Sequence, residues 1–492
     1  MKALLLYPEF PVTFWSFKYA LKFISKKSSH PPLGLITIAA MLPQDWDIRL
    51  VDLNVDSLSE KDILWADIIF ISAMSIQRES VYSLVKRCKS KDKKIVAGGP
   101  LFTEEPHYFP QIDHLVLDEA EITLPKFLKD LEKGQPRKKY SSRIYPDIRS
   151  SVKPHYHLLN KKKYAVMSLQ LSRGCPFNCE FCEVTALFGN KMRLKSSDQV
   201  IQELEALYDN SWRGEVFFVD DNFIGNRRYL KSDLLPRLEE WMKARKYPFK
   251  FITEASINLA DDEILMDKMI SSGFSSVFVG IETPDEDSLK ECSKYQNKNR
   301  DLIESVHKIQ NKGFIVMGGF IVGFDSDKPS IFQRQIDFIQ HSGIISAMVG
   351  LLNAPPRTKL YQRLLKENRI ISNFSGNNTD FATNFIPRMS IDDLKHGYQK
   401  LVNGIYSRKP YYTRVKGFLS RYQKNIHFKK RFGFTDLKAL FKSILILGIF
   451  RKGRRHYWKL LLWTLFNRPK VFSMAVTYSI YGYHFRKIFK IK

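Results

Sequence analysis

Cysteine is scarce in this chain. There are five in 492 residues, and three of them stand within eight positions of one another. Cys88 and Cys292 lie far apart, so a disulfide-stapled fold is excluded and a reducing compartment is expected. Long apolar runs are also missing. The opening Met1-Lys2-Ala3-Leu4-Leu5-Leu6-Tyr7-Pro8 is too short for a signal peptide and lacks a small-residue cleavage site. Nowhere does a run approach the roughly 20 apolar residues that a spanning helix needs. No G-x-G-x-x-G follows the first strand, which removes a nicotinamide or flavin dinucleotide. Acids all but vanish near the end. Residues 401–492 hold 22 Lys and Arg against Asp436 alone, so most of the net charge of +27 lies there. Charge this lopsided predicts an anionic partner, either a membrane surface or nucleic acid.

What is present is globular. Hydrophobic residues make up 44% and aromatics 13%, enough for two or three cored domains. Over residues 1–135 apolar runs alternate with helical patterns. Strands are predicted at Ala3 to Tyr7, Ile48 to Leu53, Asp67 to Ser72, Lys94 to Pro100 and His114 to Leu117. Helices are predicted from Pro32 to Met41, Arg78 to Lys89 and Glu121 to Leu131. This order predicts an α/β, doubly wound, Rossmann-like parallel sheet, whose ligands bind beyond the strand carboxyl ends. Residues 136–163 are polar and contain Pro, and read as a linker.

The centre of the sequence is Arg173-Gly174-Cys175-Pro176-Phe177-Asn178-Cys179-Glu180-Phe181-Cys182, which follows a predicted strand at 164–171. Three thiolates on one tight loop make a soft metal pocket, and three ligands on a [4Fe–4S] cluster leave one iron open. A zinc site is the competing metal reading, although zinc prefers two Cys pairs or histidines. Three merely structural cysteines are the plain alternative. Five further strands are expected to end at Asp220-Asp221-Asn222, Glu254-Ala255-Ser256, Glu282-Thr283, Gly323-Phe324 and Asn353-Ala354, with helices such as Ser197 to Tyr208 and Asp262 to Ser271 between. Six strands in this order predict a partial (β/α)6 barrel over 164–370, with its chemistry at the strand C-termini. Each strand-end acid could equally cap the following helix.

The cysteine loop resembles the signature of the radical S-adenosylmethionine (SAM) enzymes. That resemblance implies a [4Fe–4S] cluster on Cys175, Cys179 and Cys182, and SAM near Phe181, Asp220, Asp221, Asn222, Glu254, Glu282, Met317 and Asn353. Val279-Gly280-Ile281-Glu282-Thr283 resembles the family's G-I-E strand, Gly313 to Phe320 its adenine platform, and Asn353 to Tyr361 a closing loop. A Rossmann-like unit ahead of this motif is similar to the cobalamin-binding domain of the B12-dependent subfamily. It implies cobalamin near Ser72, Met74, Gly98, Gly99, Pro100, Glu119 and Glu121. No D-x-H-x-x-G motif is present, so Ser72 and Met74 would pack beneath the ring without a histidine ligand.

Residues 371–492 read as a basic, aromatic, α-helical region. Ser443 to Phe450 and Lys459 to Phe466 suit helices lying on a membrane, with Tyr457, Trp458 and Trp463 at headgroup level. Pro32-Leu33-Gly34-Leu35, Ser72-Ala73-Met74 and Tyr483-His484-Phe485-Arg486-Lys487 extend the resemblance to a group containing the hopanoid C-2 methylases. It implies a cobalamin-dependent C-methyltransferase acting on a membrane lipid. The expected location is cytoplasmic and peripheral to the membrane, with flavodoxin or ferredoxin as electron donor and no nucleic acid. The alternatives are a radical transformation without methyl transfer, an RNA-modifying radical SAM enzyme, and a non-catalytic iron–sulfur protein.

Overall fold

The computed structural model describes residues 1–423 and 433–491. Its first sheet holds β1 (Lys2–Tyr7), β2 (Asp47–Asp52), β3 (Ile68–Ser72), β4 (Lys94–Gly98), β5 (His114–Val116) and β6 (Lys139–Tyr140). All pairs are parallel, in the order β2-β1-β3-β4-β5-β6. The strands are apolar on both faces because both faces are covered. Leu4, Leu6, Ile69 and Ile71 enter one core, while Ala3, Leu5, Ile68 and Phe70 enter another. Among the flanking helices are α1 (Leu33–Met41) and α2 (Ala120–Glu132). The sixth strand corrects the linker reading. Lys139–Tyr140 pairs with β5, and Tyr140, Ile148 and Tyr156 are buried, so the polar stretch is packed against its neighbours.

The second sheet is the open barrel. It comprises β7 (Val166–Leu169), β10 (Glu215–Phe218), β11 (Lys250–Ala255), β12 (Phe274–Glu282), β13 (Ile315–Val322) and β14 (Ala347–Leu351), all parallel, ordered β14-β13-β12-β11-β10-β7. A short antiparallel pair, β8 (Ser172–Arg173) with β9 (Arg193–Leu194), brackets the cysteine loop and helix α3 (Glu183–Phe188).

Both open barrel edges are covered by distant parts of the chain. At β7, the N–H groups of Ala165 and Val166 donate to the carbonyls of Ser28 and Ser29, at 3.0 and 2.9 Å. At β14, the hydroxyls of Tyr398 and Tyr406 donate to the Val349 and Ala347 carbonyls, at 2.8 and 2.6 Å. Both tyrosines sit on α4 (Ile391–Tyr406). The basic C-terminal region is therefore no loose tail. Its α5 (Phe434–Ser443), α6 (Arg454–Asn467) and α7 (Phe472–Ile488) belong to the same hydrophobic core as the barrel. Helix α7 also grips the N-terminal segment: Phe14 stacks on Phe485 with ring centres 4.3 Å apart, and His484 bonds the Phe14 carbonyl at 2.8 Å. No described helix is long and apolar enough to cross a membrane.

Candidate active site

The cysteine loop is held from both sides. Gly174 has φ +88°, and a Cβ there would stand 2.6 Å from the Lys191 carbonyl oxygen, so only glycine fits. Asp220 is 0% exposed, and its carboxylate accepts from the N–H groups of Leu171 and Ser172 and from the Ser172 hydroxyl. This corrects the expectation for Asp220. Its acceptors are engaged in fixing the turn that launches the loop, and it has no surface left for a ligand. Asn222 is likewise committed, accepting from the Ser256 N–H at 3.1 Å and tying β10 to β11. Asn353 makes a reciprocal pair with the segment beside β14: it donates to the Ala382 carbonyl and accepts from the Asn384 N–H, each at 3.1 Å.

Cys175, Cys179 and Cys182 are free thiols. Burial pushes all three up, Cys182 to about 12, and the charges of the other two add to that on Cys182. Such thiols ionise when a cation joins them, so the donor set fits an iron–sulfur cluster. Among the described residues no three His, Cys, Asp or Glu side chains close around a single ion. In a cubane each thiolate takes a separate iron, so convergence on one point is not required.

The barrel's inner face follows from strand alternation and register. Val216 and Phe218 enter the core, which leaves Phe217, Val219 and Asp221 pointing inward from β10 and its end. Glu254 is opposite Phe278, and Phe278 is opposite Met317. Asp221 keeps accessible surface although protein encloses it, as expected of a cavity-lining group, and burial lifts its carboxyl to about 6. Glu254 is lifted to about 8, first by burial and then by Asp221 and Asp220. Neither carboxyl has a side-chain partner among the described residues, so both are open to a cationic or hydroxylated ligand such as SAM. Phe181 packs toward Phe324, with ring centres 6.3 Å apart.

Glu282 ends β12 with φ 62°, an uncommon conformation for this residue type. Its carboxylate meets Lys294 at 2.5 Å rather than open space. Burial would lower the Lys294 ammonium, but Glu282 holds it above its ordinary range. Lys294 went unseen in the sequence, where a lone lysine in a helical stretch carries no signal. The same is true of Glu104 and Glu183. They come from different domains, each keeps a buried, unpartnered Oε1, and burial pushes them up to about 8 and about 7.

On the Rossmann side a cavity of about 310 Å³ opens at the strand carboxyl ends and reaches the barrel. Ser72, Gly98, Gly99, Pro100, Glu119 and Glu121 line it, together with Gln170, Arg173 and Phe188. A Cβ on Gly98 would lie 2.5 Å from the Val116 oxygen, and one on Gly99 2.8 Å from Ser72 Oγ, so the backbone there is bare by necessity. The bare backbone fits the close approach of a bulky, amide-rimmed corrin. Met74 stands outside this lining and is half exposed. Glu119 and Glu121 line the cavity, but their carboxylates bind Arg173 at 2.6 and 2.8 Å, and Glu119 also binds Arg193 at 2.8 Å. These two acids clamp the domains together while lining the cavity where the resemblance places cobalamin.

A Rossmann-like cavity joined to a three-cysteine barrel defines a cobalamin-binding radical SAM enzyme. Family models agree: the B12 binding domain matches residues 23–128, the Radical SAM superfamily 169–339, and a domain of unknown function 358–492. The chain is 40% identical over 490 residues to an uncharacterized methyltransferase of Synechocystis sp., covering 99% of this chain and 91% of that one. It is 35% identical over 375 residues to the hopanoid C-2 methylase of Rhodopseudomonas palustris, covering 75% and 71%. The fold resembles the cobalamin-dependent SAM radical enzyme OxsB with aqua-cobalamin bound, at TM-score 0.63 and 14% identity, over 99% of this chain and 79% of that one. The chain belongs to the cobalamin-dependent radical SAM methyltransferases.

Proposed function

We propose that the enzyme methylates an unactivated carbon of a polycyclic, hopanoid-like membrane lipid. The observation that carries this reading is the apolar character of the barrel's inner face beside the acids. Phe217 and Phe278 face inward, with His30 against Phe217 and Trp15 against Phe278, at 5.3 and 5.5 Å between ring centres. Such walls suit a rigid hydrocarbon better than a charged or base-paired substrate. The likeness to a hopanoid methylase supports the same reading.

On this reading Cys175, Cys179 and Cys182 hold the cluster, Asp221 and Glu254 meet the polar end of SAM, and Phe181 and Met317 flank its adenine. When bound, the cluster supplies an electron, SAM the hydrogen abstraction and the methyl group, and cobalamin the methyl transfer. The protein positions these partners and keeps water out. An external one-electron donor such as flavodoxin or ferredoxin completes the system, and the enzyme sits peripherally on the cytoplasmic side of a membrane.

The test is a mass comparison of total lipids from cells with and without the gene. Loss of a species heavier by one methylene, restored by the wild-type gene and not by Cys179→Ala, is the expected result. Unchanged lipids from expressing cells would overturn the lipid assignment. In purified reactions, 5′-deoxyadenosine formed without S-adenosylhomocysteine would overturn methyl transfer.

A further inference from the structure

The helical hairpin near the C-terminus has an anchored inner face and an apolar outer one. Helices α5 and α6 are joined through a π-helical turn, Ile444–Phe450. Inward, Leu447, Tyr457, Leu460 and Leu461 join the core, and Ser443 Oγ bonds the Tyr457 hydroxyl at 2.8 Å. The Trp458 indole N–H donates to the Gly448 carbonyl at 3.1 Å, tying α6 to the connecting turn. The hairpin is therefore a fixed part of the molecule, and its outer side chains are not spare core.

Those outer side chains are large and bare. Phe466 and Phe450, 79% and 78% exposed, are the most exposed large apolar groups among the described residues, and Phe441 is 61% exposed. On α6, Trp458, Leu462, Leu465 and Phe466 recur at helical spacing along one exposed stripe. This revises the headgroup assignment made from sequence. Trp458 remains on the surface, but Tyr457 is fully buried and Trp463 packs against the core.

Cations border the stripe. Lys438, Arg451, Lys452, Arg454, Arg455 and Lys459 are exposed on or beside the hairpin. Two copies meeting face to face would bring these charges together, which disfavours a homodimer through this surface. An anionic bilayer satisfies both features, since apolar side chains enter the acyl boundary while cations meet headgroups.

We infer that the outer face of the α5–α6 hairpin is a membrane-docking surface, inserting Phe441, Phe450 and Phe466 into the interface of an anionic bilayer. The inference deepens the lipid reading above and rests on it for its purpose. Vesicle binding tests the surface and lipid masses test the substrate, so either can fail alone.

The experiment floats the full-length, cluster-loaded enzyme with phosphatidylcholine vesicles, with and without phosphatidylglycerol. The wild type should co-float with the anionic vesicles. The double variant Phe450→Asp/Phe466→Asp should lose about tenfold or more of that binding, while its iron content and SAM cleavage in detergent stay unchanged. High salt should weaken the wild type without abolishing binding, because part of the attachment is apolar. Binding equal to wild type in the double variant would overturn the inference. So would a wild-type dimer that the variant converts to monomer with no vesicle binding by either. Binding of RNA through this face, lost in the same variant, would overturn it as well.

Discussion

Asp220 and Asp221 are adjacent in sequence, yet one carboxylate accepts three hydrogen bonds from the cysteine loop's base and the other keeps accessible surface with no side-chain partner among the described residues. Asp220→Ala should leave buried N–H donors unmatched at roughly 1–3 kcal/mol each. Iron bound per chain after reconstitution should then fall. Asp221→Ala should keep its iron and lose SAM affinity, measured by equilibrium binding. Glu254 makes a pH prediction at the same scale. Its carboxyl rises from 4.5 to about 8, with burial the largest cause. The folded protein therefore holds this proton more tightly than the unfolded chain, and its contribution to stability falls as pH climbs from about 4.5 toward about 8. Glu254→Gln removes that loss. The cofactor-free variant should melt above wild type beyond about pH 8, by about 2–4 °C for each kcal/mol recovered, and match it near pH 4.5.

At the scale of elements, the loop between β8 and β9 depends on one positive-φ glycine. Gly174→Ala puts a methyl against the Lys191 carbonyl as well as straining the backbone. Iron loading should drop severalfold while far-ultraviolet circular dichroism stays near wild type, because both sheets fold without this turn. Strands such as β1 and β10 were legible because each is a compact apolar run bounded by turn residues. Strand β6 was not. Two residues in a polar stretch carry no period, and only the exposed edge of β5 selects them. The barrel's edge covers were equally silent, since Tyr398, Tyr406 and Ser28 are unremarkable until folding brings the edges to them.

At the scale of the molecule, the two cofactor domains are joined by a buried ion network. Arg173 stands two residues before Cys175 and reaches Glu119 and Glu121 of the Rossmann-like unit. Arg173→Met leaves buried carboxylates without their shared cation, a loss of about 3–5 kcal/mol for a broken buried pair. The variant should melt earlier and be cleaved by protease between the domains. Adding Glu121→Gln should recover part of the stability, because one stranded charge is gone. A melting temperature equal to wild type in Arg173→Met would show that the clamp carries no load.

Local chemistry determined much of this protein before any folding. Cysteine spacing defines a cluster loop, apolar runs define parallel strands, and the near absence of acids after residue 400 defines a cationic region. These are properties of neighbours along the chain, and neighbours are what a sequence displays. The tertiary structure decided which polar groups remain free. Asp220, Asn222, Glu119, Glu121, Glu282 and Asn353 all stand near the site, but each is engaged by a partner from elsewhere in the chain. Asp221, Glu254, Glu104 and Glu183 keep unpartnered oxygens at the centre. Folding likewise sorted the C-terminal aromatics, burying Tyr457 and exposing Phe450 and Phe466. A hydrogen bond between residues far apart in the chain exists only once the chain has closed, so its consequences cannot be read from either residue alone.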